Sequence, residues 1–167
     1  MDNQLYRATL NCQGKHYYLL ASDQGLVFVG SPDASIDEAK HYLPNSEVAN
    51  AKEKSLANYK QQLNDYFTGK RSLLNIPLDI RRGTKLQQQV WQTLLKIPYG
   101  QTWSYTELAT ASGYPTAVRA VASAVGANPL LVVIPCHRVI RKDGRLGGYR
   151  GGLAMKQLLL SLEAQWH

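Results

Sequence analysis

Cys136 stands directly against His137 in the stretch Ile134–Val139, read IPCHRV, in a chain that has only two cysteines. A thiol at its reference pKa of about 8.5 is mostly protonated at neutral pH, so a nucleophilic cysteine needs a base or a positive field beside it. His137 is such a base. Consecutive residues of extended chain point in opposite directions, which disfavours direct contact of imidazole and thiol and favours a bridging water as the proton path. A carboxylate on the other ring nitrogen would complete a triad, and only Glu107, Asp143 and Glu163 follow residue 83. Glu163, on the last expected helix, is the choice. A lone cysteine is usually a small buried hydrophobe. Against that, Val132–Ile134 reads as a buried strand ended by Pro135, which sets Cys136 at a strand end where side chains can face a pocket.

The rest of the chain bounds what such a site can belong to. An apolar fraction of 44% and a charged fraction of 19% over 167 residues describe a globular protein of one medium or two small domains. The N-terminus lacks the basic start and apolar stretch of a secretory signal, and the longest apolar run, Leu130–Pro135, is far short of a membrane span. A cytoplasmic protein with free thiols and no membrane association is expected. Residues 1–83 carry ten Lys and Arg against nine Asp and Glu, and residues 84–167 carry nine against three, so the net charge of +7 divides as +1 and +6. The basic C-terminal half fits a polyanionic partner.

Three strands are expected first, Leu5–Cys12, Lys15–Ser22 and Leu26–Gly30, joined by tight turns as a meander. Ser35–Glu38 reads as a capping box opening a short helix that ends before Pro44. A second helix carries Leu56, Tyr59, Leu63, Tyr66 and Phe67 as a core stripe. Leu73–Ile80 reads as extended, with Pro77 confining it to a sheet edge or strand start. Arg81–Gly83 is the linker, dividing an α/β domain, 1–82, from a mainly α domain, 83–167. The second domain opens with the capping box Thr84–Gln87 and a helix carrying Leu86, Val90, Trp91, Leu94 and Leu95.

Ser104–Glu107 is another capping box, starting a short helix that stops at Gly113. Thr116 then caps a helix over Ala117–Ala127, closed by Asn128-Pro129. This is the outline of a helix-turn-helix, whose second helix normally meets DNA. That helix, AVRAVASAVGA, has small side chains and one charge, Arg119, too little to read base edges in a major groove. Small residues allow close approach to a minor groove, and a lone arginine suits insertion into a duplex. The expected docking face comprises Thr116, Ala117, Arg119, Ala120, Ser123 and Ala127. Arg138–Ile140 with the Asp143-Gly144 turn reads as a hairpin or wing, and the glycine-rich residues 147–152 as a loop before a final helix over Leu153–Ala164.

The stretches QQVWQTLLKIPYGQTWSYTELA, AVRAVASAVGANP, IPCHRVI and GGYRGGLAMK together closely resemble the O6-alkylguanine-DNA alkyltransferases, continuously over about residues 84–163. Over residues 1–82 the resemblance rests on element order, length and the PLD segment. It implies an N-terminal α/β domain with a ribonuclease-H-like sheet and a C-terminal winged helix-turn-helix domain. It also implies binding of double-stranded DNA through the minor groove with O6-alkylguanine flipped out, and one irreversible transfer of the alkyl group to a cysteine, without a cofactor and by a monomer. Carried onto this chain, the resemblance makes Cys136 the acceptor, His137 the water-linked base and Glu163 its orienting carboxylate. Asn128 secures the turn under the site, Tyr105 hydrogen-bonds the base and helps protonate it, and Lys156 lies near the cysteine. Arg119 fills the gap left by the flipped base. Tyr149, Arg150 and Gly151 form the active-site loop, and Val125, Leu131 and Arg150 bound the substrate pocket.

Some relatives bind zinc in the N-terminal domain through two cysteines and two histidines. Cys12, His16 and His41 do not supply that set, so no structural metal is expected and Cys12 reads as a strand residue. The main alternative is a non-catalytic alkyltransferase-like protein that binds lesions, but such proteins replace the acceptor cysteine. A winged-helix transcription factor would need a base-reading helix, and a Cys-His hydrolase would turn over through an acyl intermediate.

Overall fold

The computed structural model describes residues 4–166. It divides into two compact units, Met1–Arg82 and Gly83–His167.

The first unit is built on β1 (Tyr6–Cys12), β2 (Lys15–Ser22) and β3 (Gly25–Val29), antiparallel neighbours as the tight turns dictate. A two-residue strand, β4 (Lys52–Glu53), adds in parallel beside β1 and gives the order β3-β2-β1-β4. Leu19, Leu20, Ala21 and Ser22 are all buried, so the central strand is covered on both faces. On one side Tyr17 stacks on Phe67 of α2 (Ala57–Phe67) at 5.1 Å between ring centroids. On the other, Leu5, Leu20, Val27 and Phe28 pack with Ala39, Leu43 and Val48. The helical stripe Leu63, Tyr66 and Phe67 is therefore core.

The expected Ser35 box fails here, while Leu73–Ile80 takes the sheet-edge place expected of it, beside β3. Ile36–His41 is a 3₁₀ helix, and Ser35 accepts from the Asp37 N–H without a reciprocal box, because Glu38 is drawn to the backbone N–H and hydroxyl of Ser31. A further short helix, α1 (Asn45–Ala49), follows. The segment Leu73–Ile80 pairs only at Leu78, opposite Leu26. Pro77 lends its carbonyl to the Leu26 N–H at 2.8 Å, and Gly25 is required beside it, since a Cβ there would lie 2.3 Å from that oxygen. The unit closes on a buried carboxylate: Asp79 accepts from Ser22, Arg81 and Arg82, and Arg82 also forks onto Glu47. Arg81 above all, with Ser22, holds Asp79 well below the usual carboxylate range.

The second unit begins where the Gly83 backbone runs against the Trp91 ring, so closely that a Cβ would lie 2.4 Å from it. The Thr84–Gln87 box is formed in both directions at the head of α3 (Lys85–Leu94), and the Ser104–Glu107 box likewise at the head of α4 (Tyr105–Ala111). Such caps contribute about 1 kcal/mol each. Trp91 Nε1 donates to the Ala124 carbonyl of α5 (Val118–Gly126) at 2.9 Å, which joins α3 to α5. α5 starts later than expected: Ala117 occupies the cap position and no side chain caps it, so Thr116 is an exposed turn residue and not an N-cap.

The expected strand over Val132–Ile134 is absent. The run Leu130–Ile134 is buried but folded into a turn with Val132 at φ 72°, because Ile134 bonds back to Leu130 and Asn128 supplies the remaining partners. The hairpin reading also gives way in part. β6 (Val139–Ile140) pairs in parallel with β5 (Trp103–Ser104), while Asp143-Gly144 forms a turn closed by the Arg141 N–H to the Arg145 carbonyl at 2.8 Å. α6 (Leu153–Trp166) completes the unit. Among the described residues no helix is long and apolar enough to cross a membrane.

Candidate active site

Cys136 opens a 3₁₀ turn, Cys136–Arg138, directly after the folded apolar run, and is 5% exposed. Asn128 fixes that turn from beneath. Its amide donates to the Ile134 carbonyl at 3.0 Å and its oxygen accepts from the Leu130 N–H at 2.8 Å, while the residue itself is 1% exposed. Burial pushes the Cys136 thiol up, and the Asn128 side chain with the charges of Arg150 and Lys156 pulls the other way. The resting cysteine is therefore a protonated thiol that needs a base.

His137 is fully buried, and its Nε2 lies 2.6 Å from Glu163 Oε2. An ionised carboxylate only accepts, so Nε2 carries the proton and Nδ1 presents its lone pair. No described residue hydrogen-bonds Nδ1. Burial lowers the His137 pKa despite the neighbouring carboxylate, which keeps the ring neutral. Glu163 is also held by Arg138, whose Nε donates to Oε1 at 2.7 Å and whose terminal nitrogen lies 3.2 Å from Oε2. The other terminal nitrogen of Arg138 donates to the Ile97 carbonyl at 2.7 Å. A buried arginine, a buried carboxylate and a neutral imidazole thus balance in charge, which burial demands.

Cys136 faces a cavity of about 600 Å³ whose lining includes Tyr105, Arg119, Val125, Asn128, Leu131, Tyr149 and Arg150. Tyr105, the first residue of α4, is half-buried, and desolvation raises its pKa. The loop that closes the cavity approaches it closely, since a Cβ on Gly147 would lie 3.0 Å from the Tyr105 hydroxyl. A Cβ on Gly151 would meet the Met155 sulfur at 2.6 Å and the Tyr149 ring at 2.9 Å, so a side chain there would require these neighbours to shift. Lys156, fully buried on α6, holds the same loop: its ammonium donates to the carbonyls of Val139, Leu146 and Gly148. That burial lowers its pKa to about 8. Arg150 reaches back to the Asn128 carbonyl at 3.2 Å.

Geometry thus gathers Cys136, Asn128, Tyr105, Arg119, Val125, Leu131, Tyr149 and Arg150 around one cavity, while His137 and Glu163 are buried as a pair outside its lining. Lys156 and Gly151 act on the loop and do not line the cavity. Thr116, Ala120 and Ser123 are exposed and Ala117 and Ala127 half-buried, outside the cavity lining, while Arg119 is exposed at its rim. Sequence reasoning missed Arg138, although it stands in the quoted IPCHRV stretch, and the basic rim residues Arg141 and Lys142. The local run of basic residues was the available signal for the latter. Among the described residues no group of three or more His, Cys, Asp or Glu side chains is placed to hold a metal.

Comparison with known proteins agrees with this geometry. The profile of 6-O-methylguanine DNA methyltransferase, DNA binding domain, matches residues 85–165, and that of 6-O-methylguanine DNA methyltransferase, ribonuclease-like domain, matches residues 5–80. The inducible methylated-DNA–protein-cysteine methyltransferase of Bacillus subtilis (strain 168) is 44% identical over 163 residues, covering 95% of this chain and 90% of that protein. The crystal structure of Mycobacterium tuberculosis O6-methylguanine methyltransferase is similar with a TM-score of 0.82 at 34% identity, covering 98% of this chain and 95% of that one. A crystal structure of Mycobacterium tuberculosis OGT in complex with DNA gives a TM-score of 0.78 at 35% identity over 97% and 93% of the two chains. With both halves matched and a relative this similar along nearly its whole length, the chain belongs to the 6-O-methylguanine DNA methyltransferase family.

Proposed function

We propose that this protein repairs DNA by direct reversal, taking the alkyl group from O6 of alkylguanine onto Cys136 in one irreversible step. The observation that carries the reading is a buried thiol lining a cavity of about 600 Å³, next in the chain to a buried, carboxylate-anchored imidazole. The sulfur attacks the alkyl carbon, the carbon–O6 bond breaks, and its electron pair stays with the guanine. The thiol proton passes through water to His137 Nδ1, and the Tyr105 hydroxyl supplies a proton to the leaving base. The products are a thioether and guanine. No group in the site can cleave a thioether, so each molecule acts once.

Lesion recognition follows from the same elements. The small, exposed side chains of α5 permit close approach to a minor groove without a sequence code, and Arg119 at the cavity rim fills the gap left by a flipped base. Flipping costs a few kcal/mol, least for a poorly paired base, which biases entry towards the damaged guanine. The loop of Tyr149, Arg150 and Gly151 bounds the flipped base, and Val125 and Leu131 set the width available to the alkyl group. In this reading the helix pair α4 and α5 with the β5–β6 ladder is a winged helix-turn-helix in a catalytic domain over 83–167, and the sheet of 1–82 is ribonuclease-H-like. A monomer suffices, since cavity, acceptor and base come from one unit.

The test is single-turnover conversion of O6-methylguanine to guanine in a synthetic duplex. The restored guanine should plateau at one per protein molecule. Continued turnover, or binding with no conversion by the Cys136 protein, would refute the reading.

A further inference from the structure

Arg138 shares the Glu163 carboxylate with His137. It is nine-tenths buried, donates from Nε to Glu163 Oε1 at 2.7 Å and from a terminal nitrogen towards Oε2 at 3.2 Å, and is tied to the Ile97 carbonyl at 2.7 Å. Its guanidinium also lies 5.6 Å from the centre of the Tyr99 ring. Glu163 therefore takes the guanidinium and the His137 Nε2–H at once, with the Gly100 N–H at 3.4 Å as a neutral third donor. A buried carboxylate with the imidazole as its sole ionic partner would draw a proton onto that ring, and a doubly protonated imidazole has no lone pair with which to accept the thiol proton.

We propose that Arg138 is a positioning residue for the transfer: by balancing the Glu163 charge it keeps His137 neutral, with Nδ1 available as the base. The proposal rests on the reading of His137 as the base for Cys136. The charged and titratable groups that face the imidazole are Glu163 and Lys156 from α6, Arg138 and Cys136 from its own turn, and Tyr149 from the loop. Of these, Arg138 and Glu163 form the direct pair, so removing the guanidinium shifts the balance towards imidazolium, whereas Lys156 is engaged by loop carbonyls.

The test measures single-turnover methyl transfer from an O6-methylguanine duplex against pH, together with the ring-nitrogen NMR signals of His137. Wild-type, Arg138→Met, Arg138→Lys and the double variant Arg138→Met/Glu163→Gln are compared. Arg138→Met should move the ascending limb of the rate profile upward by roughly one to three pH units, with His137 doubly protonated at neutral pH. Arg138→Lys, which keeps a charge without the fork, should fall between. The double variant should return the ring to its neutral form, because the unbalanced carboxylate is gone. A merely structural arginine would lower the rate equally at every pH; an unshifted limb with neutral His137 in Arg138→Met overturns the proposal. If Arg138→Met does not fold, the wild-type spectrum still decides: Nε2-protonated, neutral His137 at pH 7 is required, and an imidazolium there overturns it. Equal rates in His137→Gln and wild type would instead remove the base reading itself, and the inference with it.

Discussion

The Nε2 of His137 and Oε2 of Glu163 lie 2.6 Å apart in a site where both side chains are fully or almost fully buried, and the same carboxylate takes the Arg138 guanidinium at 2.7 Å. Replacing Glu163 by Gln leaves that guanidinium buried without its counter-charge. Loss of one partner of a buried pair costs about 3–5 kcal/mol. Urea denaturation of Glu163→Gln should therefore show a drop of that order and a slowed transfer; unchanged stability would mean the pair is not closed in solution.

Asn128 makes an equally specific prediction. Its side chain closes the turn that presents Cys136, through the Leu130 N–H and the Ile134 carbonyl, in a fully buried setting. Asn128→Ala leaves the buried Leu130 N–H unpaired at a cost of about 1–3 kcal/mol, while the Ile134 carbonyl keeps the Cys136 N–H at 2.7 Å. The thiol should then react sluggishly with the free base as well as with duplex, in a single-turnover assay on both substrates. Full activity on free base would show that the turn holds without the side chain.

Acid should weaken the second unit through His137. Its folded pKa is lowered by burial from 6.5, so the unfolded chain takes up the proton first as pH falls. The stability contributed by neutral His137 is whole above about pH 6.5 and drains away as pH drops towards the folded value. Urea midpoints between about pH 5 and 7.5 should fall with acid in wild type and less steeply in His137→Gln. Parallel slopes would contradict the buried neutral ring.

Arg119→Ala should separate flipping from chemistry. The residue is exposed and lines the cavity, so its loss should slow duplex repair more than reaction with free O6-methylguanine. Duplex affinity should also fall as salt rises, since phosphate contacts release counterions. Equal losses on both substrates, or a flat salt response, would count against this docking face.

Features encoded by near neighbours in the chain were legible in the sequence. The boxes at Thr84 and Ser104 join residues three apart and form as read, whereas Ser35 has the same pattern but loses Glu38 to Ser31. Glu163 could be chosen because few carboxylates follow residue 83. Arg138 could not: its pairing spans 25 residues, and nothing local marks a buried arginine. The run Leu130–Ile134 has the composition of a strand, and the Ile134-to-Leu130 backbone bond together with the side-chain hydrogen bonds of Asn128 folds it into the turn before the cysteine. β4 is two exposed, charged residues, with no period to read.

The central claim concerns one sulfur atom. Intact-protein mass spectrometry after incubation with excess duplex carrying one O6-methylguanine, followed by peptide mapping, tests it directly. The account predicts a single methyl increment that never exceeds one per protein and maps to Cys136, with none in Cys136→Ala. An increment at Cys12 or elsewhere, or lesion binding with no gain in mass, would contradict it.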